Sequence, residues 1–390
     1  MKLGKLLSSI AVFPWLKSAP DSSNVTTVQA PMRFNIDHES LKILVPMSRY
    51  TQIAYCLGTM ENIRPGFYCR HGCTQFLNTE LLYSWHDDLG SLTNGTAAGY
   101  IAADHDRKWL ILQIRGAHSL SELVDFWSLA PEEYVPFGAN RTVWLDREQN
   151  PFFCTPEAPN KYNMGQMVYT PCLVHSGYMR LYRQTMGHLL WDLEEYVIAG
   201  RFRDYRVFVA GHGVGGVLAS LIGLDLQMRG YNNTIISFGA SKFGNQAFAN
   251  YFDQMRDARN MPLDASRNYF RVTKPFDPYI MMPPTLVYHH TAGEVFISDV
   301  DDDQPREDNT FFCPGQRNPY CSAATDASNP LSVISWLFFE LVHLHYFTEL
   351  RGCAIDHAYI PLRDIEPADM EEPYNQRNKF KWERDDFWSD

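Results

Sequence analysis

Arg206–Met228 reads RVFVAGHGVGGVLASLIGLDLQM, and the class of fold turns on how these residues bend. Val207, Phe208, Val209 and Ala210 form an apolar run of strand length. A glycine-rich turn covers Gly211 to Gly216, and from Val217 onward Leu218, Leu221, Leu224 and Leu226 have helical spacing. The expectation is strand, sharp turn, helix. Two kinds of turn share that setting. In Gly-x-Ser-x-Gly a strained backbone lifts a nucleophilic hydroxyl above a sheet. In Gly-x-Gly-x-x-Gly the glycines admit a dinucleotide pyrophosphate to a helix N-terminus. Gly211, Gly213 and Gly216 satisfy the second pattern, whereas Gly211 and Gly215 satisfy the first with glycine at its centre.

Outward from this stretch the chain alternates. A helical run, Met179 to Ala199, leads in from Val174-His175-Ser176-Gly177-Tyr178. A strand at Thr234–Phe238, a helix at Gln246–Met255 and a strand at Tyr269–Thr273 follow, and then Lys274-Pro275-Phe276-Asp277. Upstream, Leu41–Cys56 has helical spacing, and Ala97–Ile114 reads as two strands about Asp104-His105-Asp106. This order is the signature of an α/β fold with a parallel, helix-flanked sheet. Such sheets carry their active groups beyond the carboxyl ends of the strands, where Gly213 and Asp277 both fall.

A dinucleotide site requires an acid at the end of the next strand, about 20 residues on. That strand ends in Gly239-Ala240-Ser241, and the nearest acid, Asp225, lies inside the helix. The nucleophile turn instead requires a later carboxylate and then a histidine. Asp277 and His343 stand in that order.

The chain has 390 residues, 45% of them hydrophobic, enough for a sizeable core. A net charge of −11 with no basic cluster sets nucleic acid aside as a partner. Met1–Ser18, with lysines at 2 and 5 and an apolar Leu6–Leu16, reads as a secretory signal within residues 1–20, followed by a polar leader over 21–40. Eight cysteines and the sequons at Asn24, Asn94, Asn140 and Asn232 fit the same oxidising route, as glycosylation acceptors and disulfide partners. No apolar run approaches the roughly 18 residues a transmembrane helix requires.

Ser119 and Glu122 form a capping box, and Leu120, Leu123, Val124 and Trp127 line one helical face. Periodicity alone makes this an ordinary core-facing surface helix. Pro131–Tyr169, rich in proline and asparagine, reads as an excursion outside the sheet, which a staple between Cys154 and Cys172 would secure. The charged tail from residue 356 to 390 reads as locally packed at most.

Along the chain stand AYC at 54–56, IRGAHSL at 114–120, CLVHSGY at 172–178 and GHGVGG at 211–216. SFGASKFGN at 237–245, DPYIMMPP at 277–284, YHHTAGEVFIS at 288–298 and HLHYF at 343–347 follow. In these segments and their order the chain resembles the class 3, or fungal-type, lipases, and within them the secreted yeast lipases. The resemblance implies an α/β-hydrolase fold over residues 41–355, with a mostly parallel sheet, a lid helix at 118–130, an insertion at 131–170 and no cofactor. It implies hydrolysis of lipid esters such as triacylglycerol. By the same resemblance Asp277 is the acid that orients a histidine and His343 is the general base, with His345 a bystander. The amides of Ala117 and Val214 form the oxyanion hole, and Leu120, Leu123, Val124 and Trp127 become the lid's apolar stripe. The implied disulfides are Cys56–Cys353, Cys69–Cys73, Cys154–Cys172 and Cys313–Cys321.

Three positions depart from the family pattern. Gly213 stands where the family has its nucleophilic serine, so no acyl-enzyme forms by the usual route. Ala117 stands in place of serine or threonine, and Val342 in place of a polar residue. The residues thus predict a protein that binds lipid but hydrolyses it poorly, with a His343-activated water and a nucleotide site as alternatives. No metal site is expected. Cys69-Arg70-His71-Gly72-Cys73 matches no common zinc spacing, and Asp299, Asp301 and Asp303 lack the glycine and closing glutamate of a calcium loop. His289, His290 and Glu294 are expected to belong to a structural strand pair.

Overall fold

The computed structural model describes residues 33–58, 62–69, 71–86, 98–117, 130–145, 154, 171–193, 196, 201–283, 286–299, 305–325, 342–350 and 353. The expected signal and leader up to residue 32, the lid helix and the tail at 356–390 lie outside these residues. The chain divides into Met1–Ala354 and Ile355–Asp390, and everything below concerns the first unit.

The strands are β1 (Phe34–Asn35), β2 (Thr79–Trp85), β3 (Gly99–Asp104), β4 (Trp109–Ile114), β5 (Pro131–Glu133), β6 (Leu173–His175), β7 (Arg206–His212), β8 (Thr234–Phe238), β9 (Tyr269–Thr273), β10 (Glu294–Ile297) and β11 (Thr310–Cys313). The helices are α1 (His38–Ala54), α2 (Arg141–Trp144), α3 (Ser176–Leu193), α4 (Val214–Met228), α5 (Gln246–Arg256) and α6 (Pro278–Met281). Nine strands make one sheet in the order β1-β11-β10-β9-β8-β7-β4-β3-β2. Its centre, β4, β7, β8, β9 and β10, is parallel, and the pairings of β2, β3, β11 and β1 are antiparallel.

Local chemistry explains the elements nearest the site. Asp37 caps α1 by accepting from the Ser40 amide at 2.9 Å. The strand β7 and the helix α4 are both apolar runs, and α4 is buried from Val214 to Leu226, because a helix apolar on every side has no solvent face to offer. Its Leu218, Leu221 and Leu224 join Val209 of β7 and Ile235 of β8 in the main core. Each such buried side chain contributes roughly 1.5–3 kcal/mol of transfer free energy. Asn245 caps α5, its side chain accepting from the Phe248 amide.

Several boundaries differ from the sequence reading. The helix α4 begins at Val214, not Val217, so Gly215 and Gly216 lie in its first turn. A Cβ on Gly215 would stand 2.4 Å from the Ile114 carbonyl oxygen, and one on Gly211 2.3 Å from that of Gly215. These glycines permit close packing of helix on strand. The helix α3 starts at Ser176 rather than Met179. The sheet is mixed at its edges, where β2 adds a strand that the sequence reading omitted. Within the supposed excursion, Pro131–Glu133 pairs with Leu173–His175 in a separate two-stranded sheet, and the Tyr134 amide donates to the Cys172 carbonyl.

Four disulfides join Cys56 to Cys353, Cys69 to Cys73, Cys154 to Cys172 and Cys313 to Cys321. The first ties the end of α1 to residue 353 across 297 positions of chain. No described helix is long and apolar enough to cross a membrane.

Candidate active site

The turn between β7 and α4 is built on Gly213, with φ 56° and ψ −119°. Positive φ suits a residue without a Cβ. The turn is held from both sides. The Gly213 amide donates to the Phe238 carbonyl at 2.9 Å, and the Gly213 carbonyl accepts from the Gly216 and Val217 amides. Val214 is the first helical residue, so its amide has no carbonyl one turn earlier within α4 to bond. Ala117 follows Gly116, whose Cα is pressed against the turn: a Cβ there would lie 2.8 Å from the His212 carbonyl oxygen.

Asp277 caps α6. Its Oδ1 accepts from the Tyr279 amide at 2.8 Å. The same carboxylate faces His343, whose Nδ1 lies 2.9 Å from Oδ2 and 3.1 Å from Oδ1. An ionised carboxylate only accepts, so Nδ1 carries the proton and donates. That leaves Nε2 as the nitrogen nearest the turn, 3.1 Å from the point a Cβ on Gly213 would occupy. Asp277 is fully buried and His343 is 5% exposed, so their interaction is little screened by solvent.

Two further groups complete the arrangement. The Tyr346 hydroxyl donates to Asp277 Oδ2 at 2.5 Å. Burial first, then the negative charge of Asp277, holds this phenol well above its ordinary range, so it remains a donor. His212 lies against His343 with ring centroids 4.3 Å apart. Its Nε2 is 2.8 Å from the His343 carbonyl oxygen and donates to it, so Nδ1 accepts from the Tyr55 hydroxyl at 2.6 Å. Gly239, with φ 57°, leaves room for both partners of Asp277, since a Cβ there would meet the Tyr346 ring at 3.0 Å and His343 at 3.1 Å.

The structure therefore brings Gly213, Val214, Asp277 and His343 together. Ala117 lies partly buried against the core. Leu120, Leu123, Val124 and Trp127 are outside the described residues, as are Asn24 and Asn94, while Asn140 and Asn232 are exposed. The sequence reading assigned no role to Tyr346, Gly239 or Tyr55. Tyr346 was visible only as part of HLHYF, and nothing along the chain marks it as a partner of Asp277. Asp225, the nearest acid considered for a nucleotide, is buried in α4 and paired with Arg229 at 3.3 Å. His289 bridges to Gly244, and Glu294 lies inside β10. Glu294, Cys313 and Cys321 cluster in the interior, but the two sulfurs are bonded to each other and offer no thiolate to a metal.

A mixed sheet whose central strand ends in a tight turn into a buried helix, with a carboxylate and a histidine beside that turn, is the α/β-hydrolase arrangement. Residues 111–286 match the family described as Lipase (class 3), and this match together with lipase relatives supports a class 3, fungal-type lipase family for the chain. It is 28% identical over 315 residues to a secreted mono- and diacylglycerol lipase 2 of Gibberella zeae, covering 77% of this chain and 72% of that one. It is 26% identical over 268 residues to a putative lipase of Saccharomyces cerevisiae, covering 66% and 74% respectively. The crystal structure of Lip2 lipase from Yarrowia lipolytica superposes with a TM-score of 0.65 at 28% identity, over 83% of this chain and 99% of that chain. A mono- and diacylglycerol lipase from Aspergillus oryzae, at 19% identity and a TM-score of 0.58 over 80% and 98%, shares the fold.

Proposed function

We propose that this chain is a secreted member of its lipase lineage that binds acylglycerols or a lipid–water interface and hydrolyses esters only weakly, because Gly213 occupies the nucleophile position. The observation that carries this reading is the intact Asp277–His343 pair facing a residue with no side chain. In this reading His343 is the base, Asp277 orients it, and the amides of Ala117 and Val214 receive the substrate carbonyl oxygen. Residues 118–130 act as a lid over an acyl groove. Loss of the serine in comparable triads costs on the order of a millionfold in turnover.

The secretory assignment is supported by the four disulfides and by relatives named as secreted lipases. Exposure makes Asn140 and Asn232 accessible acceptors for glycans. Acylglycerols are favoured as ligands because relatives are named mono- and diacylglycerol lipases. A nucleotide reading of Gly211, Gly213 and Gly216 loses its support, since close packing accounts for Gly211 and Gly216.

A second reading rests on the position of His343 Nε2, 3.1 Å from the missing Cβ. A hydroxymethyl group left out of this corner makes room for about one water molecule. His343 would take a proton from that water as its oxygen attacks the ester carbonyl, with no covalent intermediate.

The deciding experiment measures hydrolysis of one short and one long acyl ester by the purified chain beside Gly213→Ser. Turnover by the serine variant alone supports the first reading. Turnover by the unaltered chain that His343→Ala abolishes supports the second. Inactivity of both, without binding to acylglycerol emulsions, rejects the two together.

A further inference from the structure

The short helix α6 has Asp277 as its cap at one end and donors from elsewhere in the chain at the other. Pro283 and Pro284 follow it and carry no amide proton. The amides three and four positions beyond Ile280 are therefore missing, and its carbonyl must find a donor away from the helix. His290 Nε2 supplies one at 2.8 Å. The Met281 carbonyl accepts from the Lys242 ammonium at 2.8 Å, and the Met282 carbonyl from the Lys242 amide at 2.9 Å.

These donors approach from two sides. The strand β9, which leads to Asp277, lies between β8 and β10 in the sheet. Lys242 follows β8 and His290 precedes β10, so the chain on either flank of β9 reaches over to hold α6. Both contacts are shielded from competing water. Lys242 is 2% exposed. Burial first, then Arg271 and Lys242, hold the His290 imidazole well below the usual range, so the ring is neutral and its one N–H faces the Ile280 carbonyl. The helix itself is only about 6 Å long. Its Tyr279 donates an amide to Asp277 Oδ1 at 2.8 Å and packs its ring on His343, centroids 4.8 Å apart. A shift of the last carbonyls of α6 therefore reaches the carboxylate with no flexible joint between them.

We propose that Lys242 and His290 are positioning residues, which hold the last carbonyls of α6 and thereby aim the Asp277 carboxylate at His343 Nδ1. Their bearing on turnover rests on the function proposed above, whereas their bearing on the geometry does not. A merely structural tie would contribute stability through satisfied carbonyls and leave the Asp277–His343 contact as it is. Positioning requires that the contact itself change when the donors are removed.

The test is proton NMR of the full chain, isotope-labelled at histidine. The Nδ1 proton that His343 donates to a buried carboxylate gives a far-downfield signal, identified by its absence in His343→Gln. The signal is expected in the unaltered chain and in His290→Gln, whose side-chain amide still donates to Ile280. It should move upfield or vanish in His290→Leu and in Lys242→Met, which keep the bulk and remove the donor. Asp37→Ala, which removes the cap of α1, should lower the melting temperature and leave the signal in place. In a Gly213→Ser background, His290→Leu should lower kcat roughly ten- to a hundredfold with KM unchanged, and His290→Gln should restore most of it. Three results overturn the proposal: the unaltered chain lacks the signal, the signal survives unshifted in whichever of His290→Leu and Lys242→Met folds, or Asp37→Ala shifts it as much. If Gly213→Ser turns over no ester while the signal still responds to His290→Leu, the positioning stands and the nucleophile assignment of the corner fails.

Discussion

His343 Nε2 stands 3.1 Å from the point at which a Cβ on Gly213 would lie. A serine there would have its hydroxyl within reach of the imidazole, at two costs. The backbone at φ 56° is strained for any residue with a Cβ, by about 1–2 kcal/mol. The imidazole must also give way by a few tenths of an ångström. Gly213→Ser is therefore expected to lower the melting temperature slightly while raising ester turnover by on the order of a thousandfold or more. A chromogenic ester assay and a thermal melt on the same preparations check both. A folded serine variant that gains no turnover defeats the assignment of this corner as a nucleophile position.

Tyr346→Phe removes one of the hydrogen bonds to the buried Asp277 carboxylate. The carboxylate stays buried with one donor fewer, which costs about 1.5–3 kcal/mol. Urea unfolding should show this loss in the midpoint with an unchanged slope. In a Gly213→Ser background the same change should reduce kcat more than KM, since Tyr346 acts only by positioning Asp277. A midpoint equal to that of the parent would mean that the phenol contributes nothing.

His290 makes stability depend on pH with a definite sign. Its folded-state pKa lies well below the ordinary 6.5, so between the two values the unfolded chain binds more protons. Its share of stability is complete above pH 6.5 and is lost as pH falls through the folded value. Asp225 and Asp253, raised chiefly by burial, act in the opposite direction. They are common to the parent and to His290→Gln, which retains a donor for the Ile280 carbonyl. Denaturant melts of both proteins in phosphate-free buffer should therefore diverge below pH 6.5, the parent losing more. Parallel curves would show that His290 protonates freely in the fold.

Gly215→Ala and Gly187→Ala separate two roles of helical glycine. A methyl group at 215 meets the backbone oxygens of Ile114 and Arg115 at 2.4 and 2.5 Å, neither of which is a flexible side chain. The helix-propensity gain of about 1 kcal/mol is outweighed by overpacking of about 3 kcal/mol or more. At 187 the nearest atom is 3.9 Å away, so alanine should stabilise α3 by about 0.5–1 kcal/mol. Soluble expression and thermal melts check the pair. Equal tolerance at both sites would mean that α4 does not press on β4 as described.

What lay open to sequence reading was local. The alternation of β7, α4, β8, α5 and β9 is written in apolar periods that neighbours along the chain enforce, and the order of Asp277 and His343 after the glycine turn limited the chemistry. The resemblance to class 3 lipases extended that reading to the whole domain and named its cysteine pairs. Even there the helix start was misplaced by three residues, because Gly215 and Gly216 read as turn formers when taken one by one. The reason for Gly215 is the Ile114 carbonyl on β4, far away along the chain, and that for Gly216 is its closeness to Gly211, Ser237 and Ala240.

The sequence by itself determined the strand, turn and helix around Gly213, because hydrogen bonding and apolar spacing within a few residues suffice to specify them. The resemblance had already paired Asp277 with His343, and tertiary structure supplied their 2.9 Å contact across 66 residues and alone decided that Tyr346 joins Asp277 across 69. It decided as well that Gly239 leaves them room. Contacts of that kind follow from how the sheet and its loops close, and no pattern along the chain encodes a distance between side chains so far apart in sequence.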